Sequence, residues 1–283
     1  MQQAEKFLSE KTSSAANPLI SQMLKELDKA VVYNNTNNIT TNQKLWDNYS
    51  REWNVSSNNK QDVNDWVLKM ASNVGMNSDI QALGDEWAPR LHTLEIINGF
   101  IYPYINDSSI VAEIGVGGGR IAKEVINRVS ALHCYDVSSE MIARSKKVVV
   151  PDSSGNSSIH FTLLNSDNQS LQCNEGFFDF IYSFDVLPHV DLHVIFSYLK
   201  EINRVLKPGG KCFISTADLS SQGGWERFEV QTISTVGGFC FTTPDAVLLL
   251  IKKAGLKVVK IGERTESNVY LHRDFLVVVE KES

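Results

Sequence analysis

Hydrophobic positions along this chain change period at about residue 109, and that change divides it. Before it, apolar residues recur at helical spacing. Leu19, Ile20, Met23, Leu24, Leu27 and Val31 form one stripe over 18–32, with Pro18 close to its start. Helical patterns resume around 43–53, 62–73 and 88–102, and the Asn/Thr-rich stretch 34–42 between them reads as a linker or exposed loop. After residue 109, short apolar runs alternate with helical patterns as far as about residue 254, the signature of a sheet with helices on both faces. Two closing strands are expected over 257–262 and 272–280. A helix over 192–206 has Asp191 placed as its N-cap.

The first junction of this alternating part carries the chemistry. Residues 109–114 read as a buried strand that breaks into glycines at alternate positions, Gly115, Gly117 and Gly119. It then enters the helical pattern Ile121, Ala122, Val125, Ile126, Val129. Glycine lets a backbone turn sharply and approach a ligand, and a helix start offers unpaired N–H groups. The next apolar run, 131–135, ends on Asp136, where a carboxylate can accept both hydroxyls of a ribose. These elements make a nucleoside-binding unit. Gly117-Gly-Gly119-Arg-Ile-Ala122 also satisfies the dinucleotide spacing, so an NAD(P)-dependent oxidoreductase stays open as the alternative. Against it stands Glu113, a carboxylate inside the strand, which needs a cationic partner such as the amino group of a methionine moiety. That favours S-adenosylmethionine.

With those residues in view, the chain resembles the class I S-adenosylmethionine-dependent methyltransferases over about residues 109–280. Glu113-Ile-Gly-Val-Gly-Gly-Gly119 resembles the family's first motif. Asp136-Val-Ser-Ser-Glu-Met141 resembles its ribose-binding acid and the following helix, and Asn165-Ser-Asp167-Asn168 its adenine-contacting loop. Phe178 to His189 resembles the fourth strand and active-site loop, and Arg204-Val-Leu-Lys-Pro-Gly-Gly210 the turn before the fifth strand. The resemblance implies a Rossmann-like, doubly wound α/β sheet of seven strands, the last antiparallel. It implies a methyltransferase domain over 91–283; the stretch 1–90 has no counterpart in the minimal fold and is expected to form a helical cap, as in methyltransferases similar to this one. The cofactor contacts the resemblance implies are Glu113, Gly115, Gly117, Gly119, Asp136, Val137, Met141, Asp167, Asn168 and Ser183. The product would be S-adenosylhomocysteine.

Within this frame His189 is the candidate general base, with an ordinary pKa of ~6.5 that suits proton removal near neutrality. Asp185 is placed to orient it, although either residue could equally serve a structural turn. Tyr49, Trp87 and Trp225, together with His189, are candidate acceptor contacts. Tyr49 and Trp87 belong to aromatic–acidic clusters in the cap, and Trp225 to the glycine- and aromatic-rich insert 220–241, read as a loop walling the acceptor pocket. The acceptor expected is a small molecule methylated on oxygen, with nitrogen or carbon methylation as the alternatives within the fold. A fold of this class that binds the cofactor without turnover is a further possibility.

Composition narrows the partners. Of 283 residues, 27 are Lys or Arg and 33 Asp or Glu, a net charge of −6. No basic stripe suited to a nucleic-acid backbone is evident. Four cysteines lie far apart without metal spacing, so no metal site is expected. With no apolar run of membrane length and no signal-peptide core, the expectation is a cytoplasmic enzyme, of undetermined oligomeric state.

Overall fold

In a computed structural model, residues 38–53, 82–153, 156–165, 169–231 and 238–282 are described. The helices expected over 18–32 and 62–73, and the candidate residues Asp167 and Asn168, lie outside them.

Seven strands form one sheet in the order β3-β2-β1-β4-β5-β7-β6. They are β1 (Ile110–Ile114), β2 (Ala131–Asp136), β3 (Ser158–Leu163), β4 (Phe178–Ser183), β5 (Leu206–Ala217), β6 (Leu256–Ile261) and β7 (Asp274–Lys281). β1 to β5 run parallel, and β7 pairs antiparallel with both β5 and β6, as the closing hairpin pattern predicts. Central strands read as nearly continuous apolar runs because both faces are covered: β1 buries Val111 to Ile114, and β7 buries Asp274 to Val279. The chain winds outward through β2 and β3 and then crosses back to β4, so the order reverses between β1 and β4. A crevice opens at such a reversal, beyond the carboxyl ends of the strands.

Eight helices are described: α1 (Asn38–Glu52), α2 (Arg90–Phe100), α3 (Ala122–Val125), α4 (Ser139–Val148), α5 (Leu192–Val205), α6 (Gln222–Val230), α7 (Pro244–Lys253) and α8 (Val269–Arg273). In α5, Val194, Ile195, Tyr198, Leu199, Ile202 and Val205 form one buried stripe, and Asp191 caps the start by accepting from the N–H groups of His193 and Val194 at 2.9 and 3.1 Å. Three expectations are corrected. Residues 38–42, read as loop, begin α1, because buried Ile39 anchors a turn whose other side chains are polar. The helix after the glycine turn is only α3, followed by the 3-10 turn Ile126–Arg128. The insert 220–241 is not one loop, since α6 occupies its first half, capped where the Ser221 hydroxyl accepts from Gly224 N–H at 2.9 Å.

Helix α1 docks on α4. The Arg144 guanidinium donates to the Ser50 hydroxyl at 2.7 Å, to the Trp53 carbonyl at 2.6 Å and to the Ser50 carbonyl, and its head lies 5.0 Å from the Trp53 ring. The Ser138 hydroxyl, which caps α4, donates to Asp47 of α1 at 2.5 Å. The helix thereby lies beside the strand ends where the crevice opens.

Candidate active site

That crevice is a cavity lined by both arms of the nucleoside unit, by α1 and by the β4–α5 loop. The glycine turn shapes one wall. Gly117 has φ +52° with open space where a side chain would project, whereas a Cβ on Gly115 (φ +80°) would come within 2.4 Å of Val186. Gly115 and Gly117 line the cavity. Gly119 does not, and Gly118 takes its place. Asp136 lies at the end of β2 and accepts from Gly117 N–H at 2.8 Å and Ser138 N–H at 2.9 Å. Burial pushes its carboxyl up to about 6, partly offset by those N–H donors. Val137 and Met141 line the same end, with Leu164 and the buried ring of Tyr198.

Glu113 also lines the cavity and accepts from the Tyr182 hydroxyl at 2.9 Å. Burial pushes it up to about 8, against the hydrogen bond from Tyr182 and the charge of Arg120. Ser183 stands apart from its expected role. It is wholly buried, and its hydroxyl donates to the Ile114 carbonyl at 3.1 Å, tying β4 to β1 rather than facing the cavity.

At the other end stand Asp185 and His189, but not as a hydrogen-bonded pair. Asp185 is bound by Arg120 at 2.8 Å and Arg273 at 3.3 Å. Burial would raise its carboxyl, and the two guanidinium charges instead hold it below the ordinary value. Its backbone is left-handed (φ 61°), an unfavourable conformation for a non-glycine residue, fixed by its N–H donating to the Ser215 hydroxyl at 2.8 Å. His189 Nδ1 lies 2.8 Å from the Gly238 carbonyl. A carbonyl only accepts, so Nδ1 carries the proton and Nε2 is the basic atom. Burial lowers the imidazole pKa, with the Asp185 charge opposing, which keeps the ring neutral near pH 7. The ring packs edge-to-face on Trp46 at 5.1 Å and Phe239 at 5.2 Å, while Asn42 donates to the His189 carbonyl at 2.7 Å.

The aromatic candidates divide. Trp87 lines the cavity. Tyr49 sits behind it, donating to buried Glu86 at 2.5 Å and accepting from the Trp87 indole N–H at 2.9 Å. Trp46, one helical turn before Tyr49, supplies the wall instead. Trp225 is outside the cavity: it lies on α6, 46% exposed, beside Phe228. The end of the insert does reach the site, through Gly238 and Phe239. Arg120 was missed, although it directly follows Gly119; its side chain is only 7% exposed and lines the cavity.

Comparison with known proteins agrees with this geometry. Residues 112–214 match the methyltransferase-domain family. No curated protein sequence matches the chain. Among solved structures it resembles an S-adenosylmethionine-dependent methyltransferase from Methanosarcina mazei (19% identity, TM-score 0.50, covering 64% of this chain and 96% of that one). Another, from Mesorhizobium loti, shares 15% identity at TM-score 0.52, covering 67% and 98%. Magnesium protoporphyrin IX methyltransferase from Synechocystis, crystallised with S-adenosylhomocysteine, shares 11% identity at TM-score 0.54, covering 77% and 96%. Residues 112–214 thus carry a methyltransferase domain, on the sheet order and with the nucleoside unit of the class I S-adenosylmethionine-dependent methyltransferases it resembles. S-adenosylmethionine is its cofactor.

Proposed function

We propose that this protein methylates an oxygen of a small-molecule acceptor, with His189 as the general base. The cofactor brings a methyl group already activated on a sulfonium, so the protein's tasks are to align the acceptor and to remove its proton. Asp136 would take the ribose hydroxyls, Val137, Met141 and Leu164 the adenine end, and Glu113 the amino group. Trp46, Trp87 and Phe184 would wall the acceptor, a lining suited to a compact, partly apolar molecule. The cap helix α1 would close over it.

The observation that carries the assignment of His189 is the 2.8 Å contact between Nδ1 and the Gly238 carbonyl. It fixes the tautomer with Nε2 unprotonated, and burial keeps the ring in that neutral state, ready to take a hydroxyl proton as the oxygen attacks. The test is transfer of labelled methyl to a panel of phenols and aliphatic alcohols. His189→Ala should lower turnover by about a hundredfold to ten-thousandfold, while the affinity for S-adenosylhomocysteine holds. Wild-type turnover should fall as the pH drops below the usual imidazole range. Undiminished turnover in His189→Ala would remove the general base from the account.

A further inference from the structure

Besides His189 and Tyr198, four ionisable side chains line the cavity: Glu113, Asp136 and Asp185 are acids, and Arg120 is the one permanent cation among the described residues there. A methionyl cofactor brings a carboxylate into this enclosed space, and a buried carboxylate needs a cationic or hydrogen-bonding partner. We infer that Arg120 is the anchor for the carboxylate of the cofactor.

The guanidinium is built for that use. Its Nη1 donates to the Tyr270 hydroxyl at 2.7 Å and its Nη2 to Asp185 at 2.8 Å. The rings of Trp87, Phe184 and Tyr270 lie 5.3 to 5.7 Å from its central carbon. A guanidinium offers five N–H groups in a planar fork, and these two contacts leave donors for a ligand. Behind it runs a brace of alternating charge: Asp185 also binds Arg273 at 3.3 Å, and Arg273 binds Asp274 at 2.8 and 2.7 Å through two nitrogens. Arg120, Asp185, Arg273 and Asp274 thus alternate in charge, and the brace holds the fork in place. Among the described residues, the other group of the cavity suited to the zwitterionic end is Glu113, close enough to feel the charge of Arg120. An acid for the ammonium and a guanidinium for the carboxylate match the two charges of that end, and neither Asp136 nor Asp185 could serve an anion.

This inference rests on the cofactor, not on the acceptor or on His189, so failure of the methyl-transfer assay leaves it standing. It is tested by titration calorimetry with two ligands: S-adenosylhomocysteine, and its decarboxylated analogue S-adenosyl-3-thiopropylamine, which keeps the amine. Wild-type protein should prefer the carboxylate-bearing ligand by about tenfold to a hundredfold, the worth of a charge-assisted contact. Arg120→Gln should erase most of that preference by weakening S-adenosylhomocysteine alone, the analogue staying within about twofold. Arg120→Lys, which keeps the charge but not the fork, should retain part of it and answers the question if Arg120→Gln does not fold. Tyr270→Phe should cost S-adenosylhomocysteine a few-fold by loosening the guanidinium. Equal weakening of both ligands in Arg120→Gln would make the residue a scaffold for Asp185 and Tyr270 only. An unchanged preference would place the carboxylate elsewhere. Either result overturns the inference.

Discussion

Replacing Tyr49 by phenylalanine deletes one oxygen and strands two partners. The hydroxyl donates to Glu86 at 2.5 Å and accepts from the Trp87 indole at 2.9 Å. Glu86 is wholly buried and would keep only backbone donors, the Gly84 N–H at 2.8 Å on its other oxygen and its own N–H. A buried polar group left without its partner costs about 1–3 kcal/mol. Trp87 borders the cavity, where water can reach its N–H at lower cost, so about 2–4 kcal/mol is expected for the pair. For a chain of this size that corresponds to roughly 3–7 °C in Tm. The loss should depend on pH. Burial raises the Glu86 carboxyl above its ordinary value, and the Tyr49 hydrogen bond works against that rise by favouring the ionised form. An acid with a raised native pKa costs stability when ionised, and that cost disappears as the pH falls through its native pKa. Tyr49→Phe lifts the pKa further, so the gap between variant and wild type should narrow as the pH falls toward the ordinary carboxylate range. Scanning calorimetry of both proteins at several pH values measures it. A Tm difference under about 2 °C at every pH would refute the claim that this hydroxyl holds the buried acid.

Two other outcomes follow from the same geometry. Gly115→Ala combines a φ of +80° with a Cβ 2.4 Å from Val186, so the turn must move and cofactor affinity should fall at least tenfold, read by calorimetric titration. Glu113, pushed up to about 8, is largely protonated at pH 7, whereas the amino group it is proposed to meet favours the carboxylate. Binding of S-adenosylhomocysteine at pH 7 should therefore release protons, seen as a titration enthalpy that varies with the ionisation enthalpy of the buffer; no buffer dependence would contradict the pairing.

What could be read from the chain and what could not differ in sequence distance. Glu113 to Asp136 spans strand, turn, helix and strand, each signalled locally by apolar runs and glycines, so the nucleoside unit is legible before any coordinates. The cap of α5 at Asp191 is local as well. The sheet order is legible only through the resemblance. Contacts made across the chain carry no local signal: Arg120 meets Asp185 from 65 residues away, and Arg273 meets it from 88. These long-range pairs explain why Asp185 was read as the partner of nearby His189. Ser183 and Trp225 failed differently. Each lies in the right segment, but the strand's alternation turns one inward to Ile114, and an unforeseen helix turns the other toward solvent. Tyr49 and Trp46 occupy one helix, and only packing decides which of them reaches the cavity.

The central claim, that the crevice between β1 and β4 binds S-adenosylmethionine, is tested most directly by calorimetric titration of the protein with S-adenosylmethionine, S-adenosylhomocysteine and NAD(P)H in parallel. The account predicts binding of the first two at micromolar or tighter affinity, lost in Asp136→Ala, and no binding of the dinucleotide. Binding of the dinucleotide alone would contradict it from Glu113 onward.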